Sequence, residues 1–197
     1  MKNRVETNRR ISATPQEVWE IISDLESMGN LSPENSGGRW GKGVTGVEKG
    51  AIFRGKNKNG FRQWSTKVLI TECEPPKKLA FTLRVAGQTW CEWAYQIEAT
   101  ENGSLVTESW TDMRTWLQVK IGWIVSGVAD RATHNLKSME ETLENLASLA
   151  ESNLKPRARR CGVTSTIHFK NMLKTNTHIK SQTKKVYFLF ESVRDSF

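Results

Sequence analysis

The chain has 197 residues and is 37% hydrophobic, enough for one substantial domain with a core of its own. No apolar run approaches the roughly 20 residues that cross a bilayer. The net charge of +8 suggests nucleic acid only until it is divided: residues 1–154 carry 19 Lys/Arg against 19 Asp/Glu, and residues 155–197 carry ten against two. A neutral domain with a basic extension has no field to steer nucleic acid onto the domain, so nucleic acid is not expected as its partner.

The opening stretch, Met1 to Glu6, lacks the apolar centre of a signal peptide, which makes the cytoplasm the expected location. The three cysteines, Cys73, Cys91 and Cys161, are odd in number and show no CxxC spacing. Structural disulfides and a zinc site are therefore not expected. His134, His168 and His178 are scattered outside any metal-binding pattern, and no cofactor motif is present. All eight tryptophans precede residue 124. Charge and Trp distribution together predict a domain of residues 1–154 and a basic C-terminal extension of residues 155–197, expected to be flexible.

Val5 to Ser12 alternates as a first strand. Thr14-Pro15-Gln16-Glu17 then carries the marks of a helix start: a capping hydroxyl, Pro at the first helical position and Glu three residues on. Val18, Ile21, Ile22 and Leu25 follow at helical spacing, and Leu25 to Leu31 reads as a second short helix ended by Ser32-Pro33. Six glycines between residues 37 and 50 match neither GxGxxG nor a P-loop, so they are assigned to turns and strand bends. From Ala51 to Asp112 the pattern is strands and turns. Asn57-Lys58-Asn59-Gly60 and Glu101-Asn102-Gly103-Ser104 mark hairpins, and Pro75-Pro76 closes a long strand from Gln63 to Glu74. Leu79, Phe81, Leu83 and Val85 alternate, as do Cys91, Trp93, Tyr95 and Ile97. Val106, Glu108, Trp110 and Asp112 share one face of the last strand.

The longest element comes last. Ala132, Leu136, Met139, Leu143, Leu146 and Ala150 recur at 4-3-4-3-4 spacing, one apolar stripe over about five turns of helix. Upstream, Leu117, Ile121, Ile124, Val125 and Val128 hold a helical rhythm with Gly122 and Gly127 as weak points. This order predicts an α+β helix-grip fold: a curved antiparallel sheet of about six to seven strands around a long C-terminal helix, with two short helices after the first strand. One sheet gripping one helix does not close its core, and a cavity between them is the expected result.

Several segments resemble the START-like (SRPBCC) superfamily in its polyketide cyclase/dehydrase-like branch. They are Ile11-Ser12-Ala13-Thr14-Pro15-Gln16-Glu17-Val18-Trp19, the run Leu31 to Trp40, Gly50 to Gly55, Arg62 to Thr66 and Thr107-Glu108-Ser109-Trp110-Thr111-Asp112. The resemblance spans about residues 4–152. It implies a hydrophobic or amphipathic small-molecule partner, lipid or polyketide-like, and leaves open whether that molecule is held or transformed.

The residues expected to line the cavity are Trp64, Trp93 and Trp110 on strands, with Trp40 just ahead of the meander. Phe53, Phe81 and Tyr95 join them from neighbouring strands, with Trp116, Leu136 and Met139 from the helical region. Any single Trp of this set reads first as core filler; as a group they suit a flat apolar ligand. Glu108 and Asp112 share the face of Trp110, and an inward carboxylate needs a partner or a raised pKa. Arg39, Arg54 and Arg62 are possible partners. With none, Glu108 or Asp112 is a possible acid/base on a carbonyl or hydroxyl. Glu34 and Asn35 are placed on a loop where they gate the mouth or serve a turn. His134 is expected to be partnered or solvated. The run Lys155 to Arg160 is a possible contact for nucleic acid or acidic lipid, against a plain flexible extension.

Overall fold

The computed structural model describes residues 4–154; the basic extension lies outside the described residues. The chain runs β1 (Arg4–Ile11), α1 (Pro15–Ile22), a 3-10 helix (Leu25–Asn30), β2 (Asn35–Trp40), β3 (Ile52–Asn59), β4 (Arg62–Glu74), β5 (Lys78–Val85), β6 (Gln88–Thr100), β7 (Gly103–Asp112), α2 (Trp116–Ser126) and α3 (Arg131–Leu154). All seven strands form one antiparallel sheet in the order β1-β7-β6-β5-β4-β3-β2. This is the helix-grip α+β fold expected from the element order.

Local chemistry explains the boundaries. Thr14 and Glu17 cap α1 reciprocally: Thr14 Oγ1 accepts from the Glu17 N–H (3.3 Å) and the Glu17 carboxylate accepts from the Thr14 N–H (2.9 Å). The second short helix is a 3-10 turn, capped by Asp24 Oδ1 on the Ser27 N–H at 3.2 Å. Asn35, expected on a loop, instead opens β2. Gly38 is required there, because a Cβ would meet the Arg54 carbonyl oxygen at 2.3 Å. The rhythm of residues 117–128 is a separate helix, α2, with a Thr115–Gln118 capping box; Gly127 ends it in the left-handed region, φ 75°.

The antiparallel order sorts the turns to two ends. The β4–β5 and β6–β7 turns share one end with α1 and the C-terminal half of α3, where Ser12 N–H donates to Glu151 Oε1 at 3.0 Å. Ile11, Val18, Ile22, Leu79, Ile97, Val106, Leu143 and Leu146 close that end into a solid core. At the other end lie the β3–β4 and β5–β6 hairpins, α2 and the start of α3. Filling is incomplete there. Among the described residues no helix is long and apolar enough to cross a membrane.

Candidate functional site

A cavity of about 580 Å³ occupies the unfilled end, between the sheet and the N-terminal half of α3. That volume lies within the range of small-molecule sites, roughly 300–1,000 Å³. Its walls are mostly apolar. Leu25 and Met28 of the 3-10 helix, Phe53 and Val68 from β3 and β4, and Phe81 and Leu83 from β5 supply aliphatic and phenyl surface. Trp64, Trp90, Trp93 and Trp110 supply indoles, and Trp93 lies 6.4 Å from Trp110 between ring centroids, tilted by 52°. The exposed lining residues Arg84, Val85, Ala86, Ile121 and Val125 set the mouth at the hairpin-and-α2 end.

Of the ten residues proposed from sequence for ligand contact, Phe53, Trp64, Phe81, Trp93, Tyr95 and Trp110 face this cavity. The other four do not. Trp40 stands behind Phe53, edge-on at 5.0 Å. Met139 is buried against Cys91 and Trp110, with Leu136 packed on the same cluster, because the apolar stripe of α3 turns toward the wall itself. Trp116 projects from α2 and is 71% exposed.

Glu108 is 3% exposed and lines the cavity. Its Oε1 accepts a hydrogen bond from the Tyr95 hydroxyl at 2.8 Å, and its Oε2 is buried with no partner among the described residues. Tyr95 and Glu108 sit directly opposite one another in the β6–β7 register. Arg39, Arg54 and Arg62, the partners considered from sequence, are all exposed. Burial pushes the Glu108 carboxyl up to about 8, while the Tyr95 hydrogen bond pulls it back the other way. Burial, reinforced by Glu108, drives the Tyr95 hydroxyl well above its ordinary value. Near neutral pH the pair is therefore largely uncharged, and Glu108 can donate as well as accept.

Asp112 has a different fate. It holds Arg114 in a two-point ion pair (Nε to Oδ1 2.8 Å, Nη2 to Oδ2 2.7 Å) and also accepts the Arg114 backbone N–H at 3.0 Å. The group presented to the cavity is the Arg114 guanidinium, which also lies over Trp110 at 5.7 Å. Asp112 thus fixes a cation in place, which takes it out of consideration as a free acid/base. Glu34, from the loop before β2, accepts from Arg131 Nη1 at 2.8 and 2.9 Å and meets His134 Nε2 at 2.8 Å. It clamps the start of α3 beside the cavity. Asn35 also lines the cavity, its Oδ1 accepting from the Gly37 N–H at 2.6 Å. Cys91 faces inward, as alternation predicts; burial lifts its thiol to about 11, which removes it as a nucleophile.

Sequence reading missed two parts of the lining. Trp90 is out of phase with Cys91, Trp93 and Tyr95, yet it faces the cavity. Leu83 pairs with Cys91 and Arg84 with Thr89, so Trp90 is the extra residue of a bulge, which re-aims its side chain. The second is a polar stripe on α3. Arg131, Asn135 and Ser138 face the cavity, each one residue before a member of the apolar stripe. Thr142 and Asn145 extend it: Thr142 Oγ1 donates to the Ser138 carbonyl (2.8 Å) and Asn145 Nδ2 to the Leu31 carbonyl (2.8 Å). Their 4-3-4-3 spacing was present in the sequence beside the apolar one. Among the described residues no cluster of His, Cys, Asp or Glu forms a metal-binding group.

A helix-grip domain with a walled apolar cavity and a few buried polar groups belongs to a recognisable class of protein. Residues 2–151 match the family model described as polyketide cyclase/dehydrase and lipid transport, and the chain belongs to that family. The fold is shared with a polyketide-cyclase-like protein of Corynebacterium glutamicum at 23% identity, covering 82% of this chain and 99% of that one with a TM-score of 0.56. It is likewise shared with a Nitrosomonas europaea protein at 15% identity, with coverage of 77% and 96% and a TM-score of 0.58. A di-domain ARO/CYC from the steffimycin biosynthetic pathway superposes with a TM-score of 0.62 at 10% identity, over 78% of this chain and 52% of that one. Comparison with curated proteins gives no match.

Proposed function

We propose that residues 1–154 bind one hydrophobic or amphipathic small molecule, a lipid or a polyketide-like compound, inside the cavity. The observation that carries this reading is the combination of a mostly apolar cavity of about 580 Å³ with the buried Glu108 carboxyl, whose Oε2 has no partner among the described residues. Apolar walls supply the driving force for burial, at about 25 cal/mol per Å² removed from water. Arg114, Asn135, Ser138 and the Tyr95–Glu108 pair supply orientation. The two cysteines among the described residues, Cys73 and Cys91, are both free, which suits the reducing setting of the cytoplasm.

One observation favours a second reading. Glu108 is inward, largely protonated near neutral pH and not pinned by an arginine, which is the arrangement of a general acid on a polyketide carbonyl or hydroxyl. A single comparison separates the two. Wild type and Glu108→Gln are titrated with long-chain fatty acids and polycyclic polyketides, following Trp emission and product by mass spectrometry. The binding reading expects saturable one-to-one quenching in both proteins and no product. The acid-catalysis reading expects product from wild type alone while binding survives. The absence of any saturable response across the panel contradicts both.

A further inference from the structure

Nine large hydrophobic side chains stand exposed among the described residues, and all but Leu149 lie at the end of the sheet that carries the cavity mouth. Phe61, 89% exposed, tips the β3–β4 hairpin, and Val85 tips the β5–β6 hairpin. The rest are on α2, where Trp116, Leu117, Trp123 and Ile124 project outward.

This helix is inside out. Apart from Ile121 and Val125, half-exposed at the cavity mouth, the residues it turns toward the protein are Gln118, Gly122 and Ser126, spaced four apart. Gln118 and Ser126 are buried; Gln118 Nε2 donates to Gln88 Oε1 at 2.5 Å, and Asn59 Nδ2 donates to the Ser126 carbonyl at 2.9 Å. A Cβ on Gly122 would meet Arg114 at 2.9 Å. Small and polar groups thus face the fold while indoles and aliphatics face solvent, the reverse of a helix built for water.

The surroundings carry one sign of charge. Residues 56–67, 84–90 and 115–128 contain Lys56, Lys58, Arg62, Lys67, Arg84 and Lys120, all exposed, and no Asp or Glu. Two of these cations lie over exposed rings: Arg62 on Phe61 at 5.1 Å and Lys120 on Trp116 at 5.0 Å. The adjoining carboxylates are engaged. Asp112 holds Arg114, Glu34 holds Arg131, and Asp130 accepts from Thr133 at the start of α3.

From this juxtaposition we infer that α2 and the two hairpin tips form a docking surface for an anionic lipid bilayer. Tryptophan and aliphatic side chains enter the boundary between headgroups and acyl chains, and the surrounding Lys and Arg meet lipid phosphates. A second copy of the chain fits less well, since a two-fold interface would bring the same cations face to face. Ile121 and Val125 of α2 also line the cavity, so docking would bring the mouth to the membrane. The docking itself does not rest on the ligand reading, and its test uses vesicles alone.

The full chain is mixed with phosphatidylglycerol/phosphatidylcholine vesicles and with pure phosphatidylcholine vesicles, and the bound fraction is read by sedimentation. Binding to the anionic vesicles is expected, with a fall as salt is raised. Trp123→Gln/Ile124→Gln, and separately Trp116→Gln/Leu117→Gln, should bind at least tenfold more weakly while keeping the wild-type unfolding temperature. Residues 155–197 are identical in all three proteins, so their charge cannot produce that difference. Acyl-brominated lipid should quench wild-type Trp emission, and Trp116→Phe/Trp123→Phe should lose most of that quenching while still binding. The inference is overturned by no wild-type binding, by glutamine variants that bind as wild type does, or by quenching unaffected by the phenylalanine variant. A wild-type dimer that the glutamine variants dissociate without loss of vesicle binding also overturns it, and makes the face a self-interface.

Discussion

The chemistry of the cavity centres on Glu108. Its inward direction is legible from the alternation of Val106, Glu108 and Trp110. Its partner is legible too, once the turn is used: with Glu101-Asn102 at the centre of the β6–β7 hairpin, Tyr95 must lie opposite Glu108. Looking for an arginine instead overlooked that register. Asp112 shares the alternation, but it stands at the strand end, where Arg114 two residues on can fold back onto it. The raised pKa has a thermodynamic sign. Between the ordinary carboxyl value and about 8, the folded protein holds a proton that the unfolded chain has released. The contribution of Glu108 to stability is therefore fully present below the ordinary value and is lost as pH rises toward and through 8, with a slope of at most one proton, about 1.4 kcal/mol per pH unit. Glu108→Gln should remove this part of the pH dependence and be relatively more stable at pH 8 than at pH 5, as read by denaturant unfolding at both. Tyr95→Phe removes the hydrogen bond that favours the carboxylate, so Glu108 should titrate at higher pH, a shift visible in carboxyl-carbon NMR.

Among the elements, α3 was read most completely and α2 least. The regular stripe from Ala132 to Ala150 identifies α3, and Leu143, Leu146 and Ala150 are buried as the spacing requires. The period also gives a direct stability contrast. Leu146→Ala, at a fully buried position, should cost about 2–5 kcal/mol, whereas Leu149→Ala, three residues on and 38% exposed, should cost under about 0.5 kcal/mol. Equal losses in thermal or urea unfolding would put the stripe in the wrong place. By contrast α2 is apolar on nearly every side, so periodicity locates a helix without saying which side faces the fold. That is why Trp116 was expected inside and is found outside. Trp90 escaped for a related reason: alternation assigns faces only while the ladder is regular, and a bulge shifts the phase by one.

At the scale of the molecule, the element order, the antiparallel hairpins and the expectation of a hollow sheet-and-helix interior were legible in the sequence, whereas the pairing of β1 with β7 came from the structure. The location of the hollow came only from the structure. One end of the sheet is filled by α1 and the C-terminal half of α3; the other is left to the cavity, α2 and two hairpin tips. This polarity joins the protein's two unusual surfaces, a buried apolar cavity and an exposed apolar helix beside its mouth. The tryptophans report on each separately. Trp64, Trp90, Trp93 and Trp110 line the cavity, while Trp116 and Trp123 lie outside on α2. The decisive measurement is a titration of the full chain with a monomeric long-chain fatty acid and with a polycyclic polyketide, following the eight indole N–H signals by NMR. The account predicts saturable one-to-one shifts at the cavity indoles with at least one of these ligands. No saturable shift with either, or shifts confined to Trp116 and Trp123, would contradict it.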